Sequence, residues 1–248
     1  MTGQGMRSRL VVVASLLQLV ALVGTGSSCS VYALQEVGAG DYLSWSTDYA
    51  ERVIKAMRRD GRVGGIFDTR ILSTDRSYNY KLTATWLTPE VIRAGARIAQ
   101  VNGFLSDEAT QDLVEDAEAA GETVVLVEID PREGSGVIPL DWVAALRWKD
   151  REDGSSKTVR GVSTPALRRV PALAGLLPRN YDYDRFWVVF PLHSPEGQPL
   201  FDETTLRAEL VVRIYDKEGR VDWPVPDSVL GRTEIPTPRT RVANPRPR

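Results

Sequence analysis

Side chains able to do chemistry are few in this chain, and they are scattered. His193 is the only histidine and Cys29 the only cysteine, so no multi-histidine or cysteine-rich metal site can be assembled. A serine, histidine and aspartate triad would have to run through His193, in Pro191-Leu-His-Ser-Pro195, and no Gly-x-Ser-x-Gly elbow accompanies it. His193 reads instead as a strand-end residue entering a loop. Phosphate-cradling and dinucleotide fingerprints are missing as well, and no cofactor is expected. Two acids at a suitable separation are enough for glycoside hydrolysis. Asp182 and Asp184, in Tyr181-Asp-Tyr-Asp184, are the pair to examine first, since their aromatic neighbours suit a sugar, but a turn before the Phe186 strand is the favoured account of them. The tryptophans, Trp45, Trp86, Trp142, Trp148, Trp187 and Trp223, fall on strand or helix faces where core packing explains them. No catalytic, metal or cofactor-binding residue is expected.

Cys29 differs because of where it stands. Met6-Arg7-Ser8-Arg9 is a short positive region, Leu10 to Val23 is apolar, and Gly24 to Ser28 are small, which is the order of an export signal. Starting at Met1 or at Met6 preserves that order. The apolar run covers 14 residues, whereas a membrane-crossing helix takes about 20, so residues 1–28 read as a signal peptide rather than a permanent anchor. Gly26-Ser27-Ser28-Cys29 resembles the lipobox of bacterial lipoproteins, with Gly26 departing from the usual aliphatic residue. The resemblance implies that Cys29 is acylated, becomes the first mature residue, and makes the lipid bilayer a partner. Ser30 stands where an aspartate would resemble an inner-membrane retention signal, so the resemblance implies the outer membrane, facing the periplasm. Ordinary cleavage nearby would leave a free thiol, an oxidation liability in an exported protein with no second cysteine.

Charge is unevenly spread. The net charge is −2, but the first 28 residues contain only Arg7 and Arg9, and the last eleven contain four arginines and no acid. The body between is acidic, which argues against nucleic acid as a partner. From Ile235 onward, four prolines and four arginines predict a disordered basic tail within residues 231–248, able to attract an anionic polymer.

The elements that would position any site follow from periodicity. Asp41 to Arg59 predicts a helix, with Trp45, Tyr49, Val53 and Met57 on one face and Gly61, Gly64 and Gly65 ending it. Tyr80 to Trp86 alternates as a half-buried strand does. Thr88-Pro89-Glu90 opens a helix to about Val101, and Ser106-Asp107-Glu108 opens a second ending near Gly121. This second helix carries Asp107, Glu108, Asp112, Glu115, Asp116 and Glu118, either as an acidic binding surface or as a solvated face partly paired to Arg93 and Arg97. Thr123 to Ile129 carries apolar residues on both sides of the pleat, as in a central strand covered on both faces. A hairpin over Trp142 to Ser163, a strand from Arg185 to Phe190, and strands from Leu206 to Ile214 and Val221 to Val225 around an Asp216-to-Gly219 turn bring the expectation to about seven strands. Tight turns between strands favour antiparallel pairing. The fold expected is α+β, mainly an antiparallel β-sandwich or twisted sheet with an N-terminal helix and a helical hairpin insertion. It forms one domain over residues 41–230, behind a tether of residues 29–40.

The order of Thr83-Ala-Thr-Trp-Leu-Thr-Pro-Glu90, helical hairpin, apolar strand, tryptophan-bearing strand pair and Phe186-Trp-Val-Val-Phe-Pro191 resembles a group of bacterial lipoproteins of unknown function, over about residues 65 to 223. That resemblance implies location and fold, and no catalytic residue. Three function classes stay open: a membrane-tethered, non-catalytic interaction or assembly module with an envelope protein partner, an envelope glycan- or ligand-binding protein, and a carboxylate-dependent hydrolase.

Overall fold

The computed structural model describes residues 42–64, 80–120, 123–130, 138, 141–149, 154–174, 183–194, 197 and 199–230. The expected signal peptide, the tether with Cys29, and the basic tail lie outside the described residues. Helix and strand are mixed, and the strands form one antiparallel sheet, so the sheet-rich α+β class holds.

The N-terminal helix is shorter than its periodicity predicts. A 3-10 turn, Tyr42–Ser44, precedes α1, Thr47–Met57, which starts where the Ser46 hydroxyl accepts the Tyr49 N–H at 3.2 Å. The chain then passes straight into β1, Arg58–Val63, a strand where the sequence predicts the last helical turn and a glycine stop. Next come β2, Tyr80–Leu87, α2, Pro89–Gly103, α3, Asp107–Glu118, and β3, Thr123–Asp130. They are followed by β4, Val143–Lys149, β5, Ser156–Arg160, and β6, Val162–Ser163. Beyond β6 the chain forms a 3-10 turn, Pro165–Arg169, and the short α4, Pro171–Ala174. Strands β7, Asp184–Phe190, β8, Arg207–Ile214, and β9, Lys217–Pro224, complete the sheet.

Strand order is β5-β4-β8-β9-β1-β2-β3-β7-β6. The two ends of that order, β5 and β6, are separated in sequence by Gly161 alone. One run of chain therefore leaves β4 at Arg160 and joins β7 at Val162, which brings the edges of the sheet together. The Gly161 N–H donates to the Ala144 carbonyl at 2.9 Å, and the Thr164 N–H donates to that of Trp187 at 2.7 Å. The closing contact is narrow, since β6 pairs with β7 over Val162 and Ser163 alone. The other narrow point is β1 against β9, where Val63 pairs with Gly219. A Cβ on Gly219 would lie 2.6 Å from the Arg62 carbonyl oxygen, so this strand crossing requires glycine.

Alternation sorts the strands into two apolar layers. Leu82, Ala84 and Trp86 of β2, Val125, Val127 and Ile129 of β3, and their counterparts on the other strands fill the inside of the ring. Trp86, Trp148, Trp223 and Phe201 pack together there, with centroids 5.8 Å apart for Trp86 and Trp223 and 4.9 Å apart for Trp148 and Phe201. Outside, Leu87, Val124, Leu126 and Trp187 meet Val53 and Ile54 of α1 and Val91 of α2. Strand β2 is consequently buried on both faces, where alternation alone predicts one.

Away from the helices, the outer face of β4, β8 and β9 is a lattice of charges. Arg147 lies 3.6 Å from Glu209, Arg213 lies 3.0 Å from Glu218, and Arg207 pairs with Asp222. The hydrogen bond from Arg213 holds the Glu218 carboxyl below its ordinary value, with partial burial opposing and Arg220 assisting. A depressed folded-state value stabilises the fold above the ordinary glutamate value of 4.5, and that contribution disappears as pH falls through the folded value. Glu218→Gln should therefore flatten the acid limb of a plot of urea midpoint against pH. A limb as steep as that of the parent would assign the acid sensitivity to other carboxylates.

Candidate functional site

Residues singled out by their chemistry do not converge. Asp184 is exposed at the start of β7, opposite Ile129, and its companion Asp182 lies outside the described residues. His193 forms an isolated antiparallel bridge with Pro199, beside the Leu200 N–H that donates to Leu192 at 2.7 Å. Trp45, Trp86, Trp148, Trp187 and Trp223 are buried, and Trp142 packs half-buried on Phe186 at 4.8 Å. Among the described residues, no group of three or more His, Cys, Asp or Glu is placed to hold a metal, and no helix is long and apolar enough to cross a membrane.

One polar cluster lies on the outer face of β1, β2, β3 and β7. Arg185 reaches Glu128 at 2.9 Å, directly across the strand pair, and Lys81 reaches Asp130 at 3.3 Å. The Thr83 hydroxyl donates to Asp60 at 2.8 Å. Burial pushes the Tyr183 phenol up, against the opposing charge of Lys81. Every acid named here is engaged by a cation or a hydroxyl, so the cluster serves to pair strands. The carboxyls of Asp202 and Glu218 both shift downward, Asp202 first through the Thr204 hydroxyl, which is the direction away from a proton-donating acid.

The helical hairpin of α2 and α3 is different, because its tip carries a residue that its backbone conformation disfavours. Both helices start as their sequence predicts: the Thr88 hydroxyl accepts the Val91 N–H at 3.4 Å, and the Ser106 hydroxyl accepts that of Ala109 at 3.1 Å. At one end Arg93 pairs with Glu118 at 3.0 Å. Near the other, the Arg97 guanidinium donates to the Trp45 carbonyl at 2.8 Å and to Gln100 at 2.5 Å, and Gln100 donates to Asp107 at 2.6 Å. These links tie the hairpin to the segment before α1 and fix how its tip is presented.

That tip is Phe104. It caps α2 in the left-handed conformation, φ 52° and ψ 41°, a position that favours glycine. Gly103 stands one residue too early to take it. Phe104 is 94% exposed, and Val101, one turn earlier, is 40% exposed. Glu108, Asp112 and Glu115 follow at helical spacing along the exposed side of α3. Glu115 and Glu118 lie toward the C-terminal end, where the helix dipole disfavours carboxylates and no basic residue compensates within the last turn. Sequence reasoning found the acidic helix and the pairing of Arg93, but missed Phe104, since Asn102-Gly103 reads as a complete helix stop. The available signal was an aromatic residue placed directly after that stop.

Phe104→Gly should raise stability by about 0.5–1 kcal/mol, because a left-handed backbone costs a side-chain-bearing residue about 1–2 kcal/mol and glycine returns part of that as chain entropy. The urea midpoint reads this directly, and a lower midpoint would mean that the ring supports the fold.

In comparison with known proteins, no family model matches this chain, and no similar curated protein or solved structure is found.

Proposed function

We propose that this chain is a lipid-anchored module of the cell envelope that binds a protein partner through the tip of its helical hairpin and has no catalytic centre. Phe104 carries the reading: an exposed aromatic residue, held in a costly backbone conformation at the end of a braced hairpin, marks a place where strain is kept for contact rather than for folding. The anchor is Cys29, acylated after cleavage of residues 1–28, and the setting is the periplasmic face of the outer membrane. Support for it is the order of charged, apolar and small residues before the only cysteine. A two-layered reading of the sheet belongs to the same proposal, with Gly161 and Gly219 at the corners of a flattened ring. The filled interior favours an outward contact over an enclosed ligand, since large side chains such as Trp86, Trp223 and Phe190 occupy it.

The test places a photo-crosslinking amino acid at position 104 of the full-length chain in the producing cells, with position 203, exposed in the turn before β8, as control. A discrete protein adduct in the membrane fraction from position 104, missing from position 203, is the expected result. Equal labelling from both positions, or a cytosolic unprocessed chain, would overturn the reading.

A further inference from the structure

We infer that the partner of the hairpin tip is a protein surface with an apolar socket for Phe104 and a rim of lysine or arginine that lies along α3. The inference rests on the proposed contact at Phe104 and adds the chemistry of what meets it. Residues 98 to 122 contain seven carboxylates and no Lys, Arg or His, although the chain as a whole is nearly neutral at −2. Within that stretch, Glu108, Asp112 and Glu115 form one exposed stripe starting in the first turn after Phe104. The cations of the hairpin are turned elsewhere: Arg93 holds Glu118, and Arg97 holds Trp45 and Gln100. Like charges three and four residues apart weaken a helix, and the last member of the stripe, Glu115, opposes the helix dipole. An anionic bilayer would be repelled by such a stripe, whereas a basic rim would be steered to it and oriented by it. The apolar ring gives the contact its buried anchor, in the manner of an aromatic hot spot shielded by a polar border.

The experiment uses the full-length chain with the photo-crosslinker at position 104, in three forms: the parent stripe, Glu108→Gln with Asp112→Gln and Glu115→Gln, and the same three positions changed to lysine. Circular dichroism of each purified form checks that the hairpin still folds, and the glutamine form keeps the test decisive if the lysine form does not. Membranes from the cells are irradiated at low and at high sodium chloride. The yield of the position-104 adduct should fall severalfold in the glutamine form, at least about tenfold in the lysine form, and severalfold at high salt, as expected for charges screened within a Debye length of about 10 Å at 0.1 M. The crosslinked peptide should lie beside lysine or arginine in the partner. An adduct whose yield ignores both substitution and salt overturns the basic rim while leaving the contact at Phe104 standing. An adduct to lipid, to a second copy, or to residues 231–248 of the chain itself overturns the inference by naming another occupant. No adduct from position 104 in any form removes the contact and the inference with it.

Discussion

Gly161→Ala should lower stability by about 3 kcal/mol, the upper end of what overpacking a tight interior costs. Gly161 is where one run of chain changes partner from β4 to β7 and brings the sheet to near-closure. A Cβ at this position would lie 2.3 Å from Cγ1 of Val188 and 2.6 and 2.7 Å from the Phe190 ring. Neither neighbour can give way easily: Val188 is β-branched in a paired strand and Phe190 is fully buried. The carbonyl of Ala144, which accepts the Gly161 N–H, would lose its partner if the chain moved outward instead. A double-mutant cycle in urea separates overpacking from a general intolerance of alanine. Val188→Ala removes the clashing methyl groups, so it should cost clearly less in the Gly161→Ala background than in the parent, with a coupling of about 1 kcal/mol or more. Simple additivity of the two changes would show that Gly161 is needed for something other than room.

Closure of the sheet was not legible in the sequence, and the reason is physical. Starts of α2 and α3 could be read because the capping hydroxyls of Thr88 and Ser106 act within three residues of themselves. Strand β3 could be read because both of its faces are covered and both are apolar. Strand β1, Arg58–Val63, has neither advantage: it is charged, contains Gly61, and exists because β2 and β9 lie on either side of it. Glycine misled twice for the same reason. Gly61 reads as a helix stop and Gly219 as the end of a turn, yet each occupies a strand where another strand passes too close for a side chain. The turn itself falls at Tyr215 and Asp216, with Tyr215 taking the left-handed backbone, φ 55°. Pairing between distant segments decided these positions, and no local pattern encodes it. At the hairpin tip the failure was of another kind. A local rule predicted glycine at the left-handed cap, and the chain places Phe104 there, so the mismatch between rule and residue is what singles out the proposed contact.

The second large effect is expected at the Glu128–Arg185 pair. Glu128 faces outward from β3, yet its side chain is only 4% exposed, and Arg185 opposite it on β7 is 14% exposed. Arg185→Leu leaves that carboxylate buried without its 2.9 Å partner, and breaking a buried pair from one side costs about 3–5 kcal/mol. Changing both residues to leucine should restore most of the loss and end within about 1 kcal/mol of the parent, because desolvating two charges largely offsets their attraction. Urea denaturation of the parent, the single variant and the double variant measures this, and a double variant as unstable as the single would mean that the pair contributes far more than its geometry supports. What the pair supplies is register: sliding β3 by one residue against β7 would turn Glu128 into the apolar interior and move Val127 and Ile129 out of it. Strand β3 begins at Thr123, soon after α3 ends at Glu118, so the same register fixes where the hairpin is rooted. A charged pair on the sheet thus helps to aim Phe104, and the double leucine variant should keep its stability while presenting the tip less uniformly, read as a broader set of crosslinks from position 104.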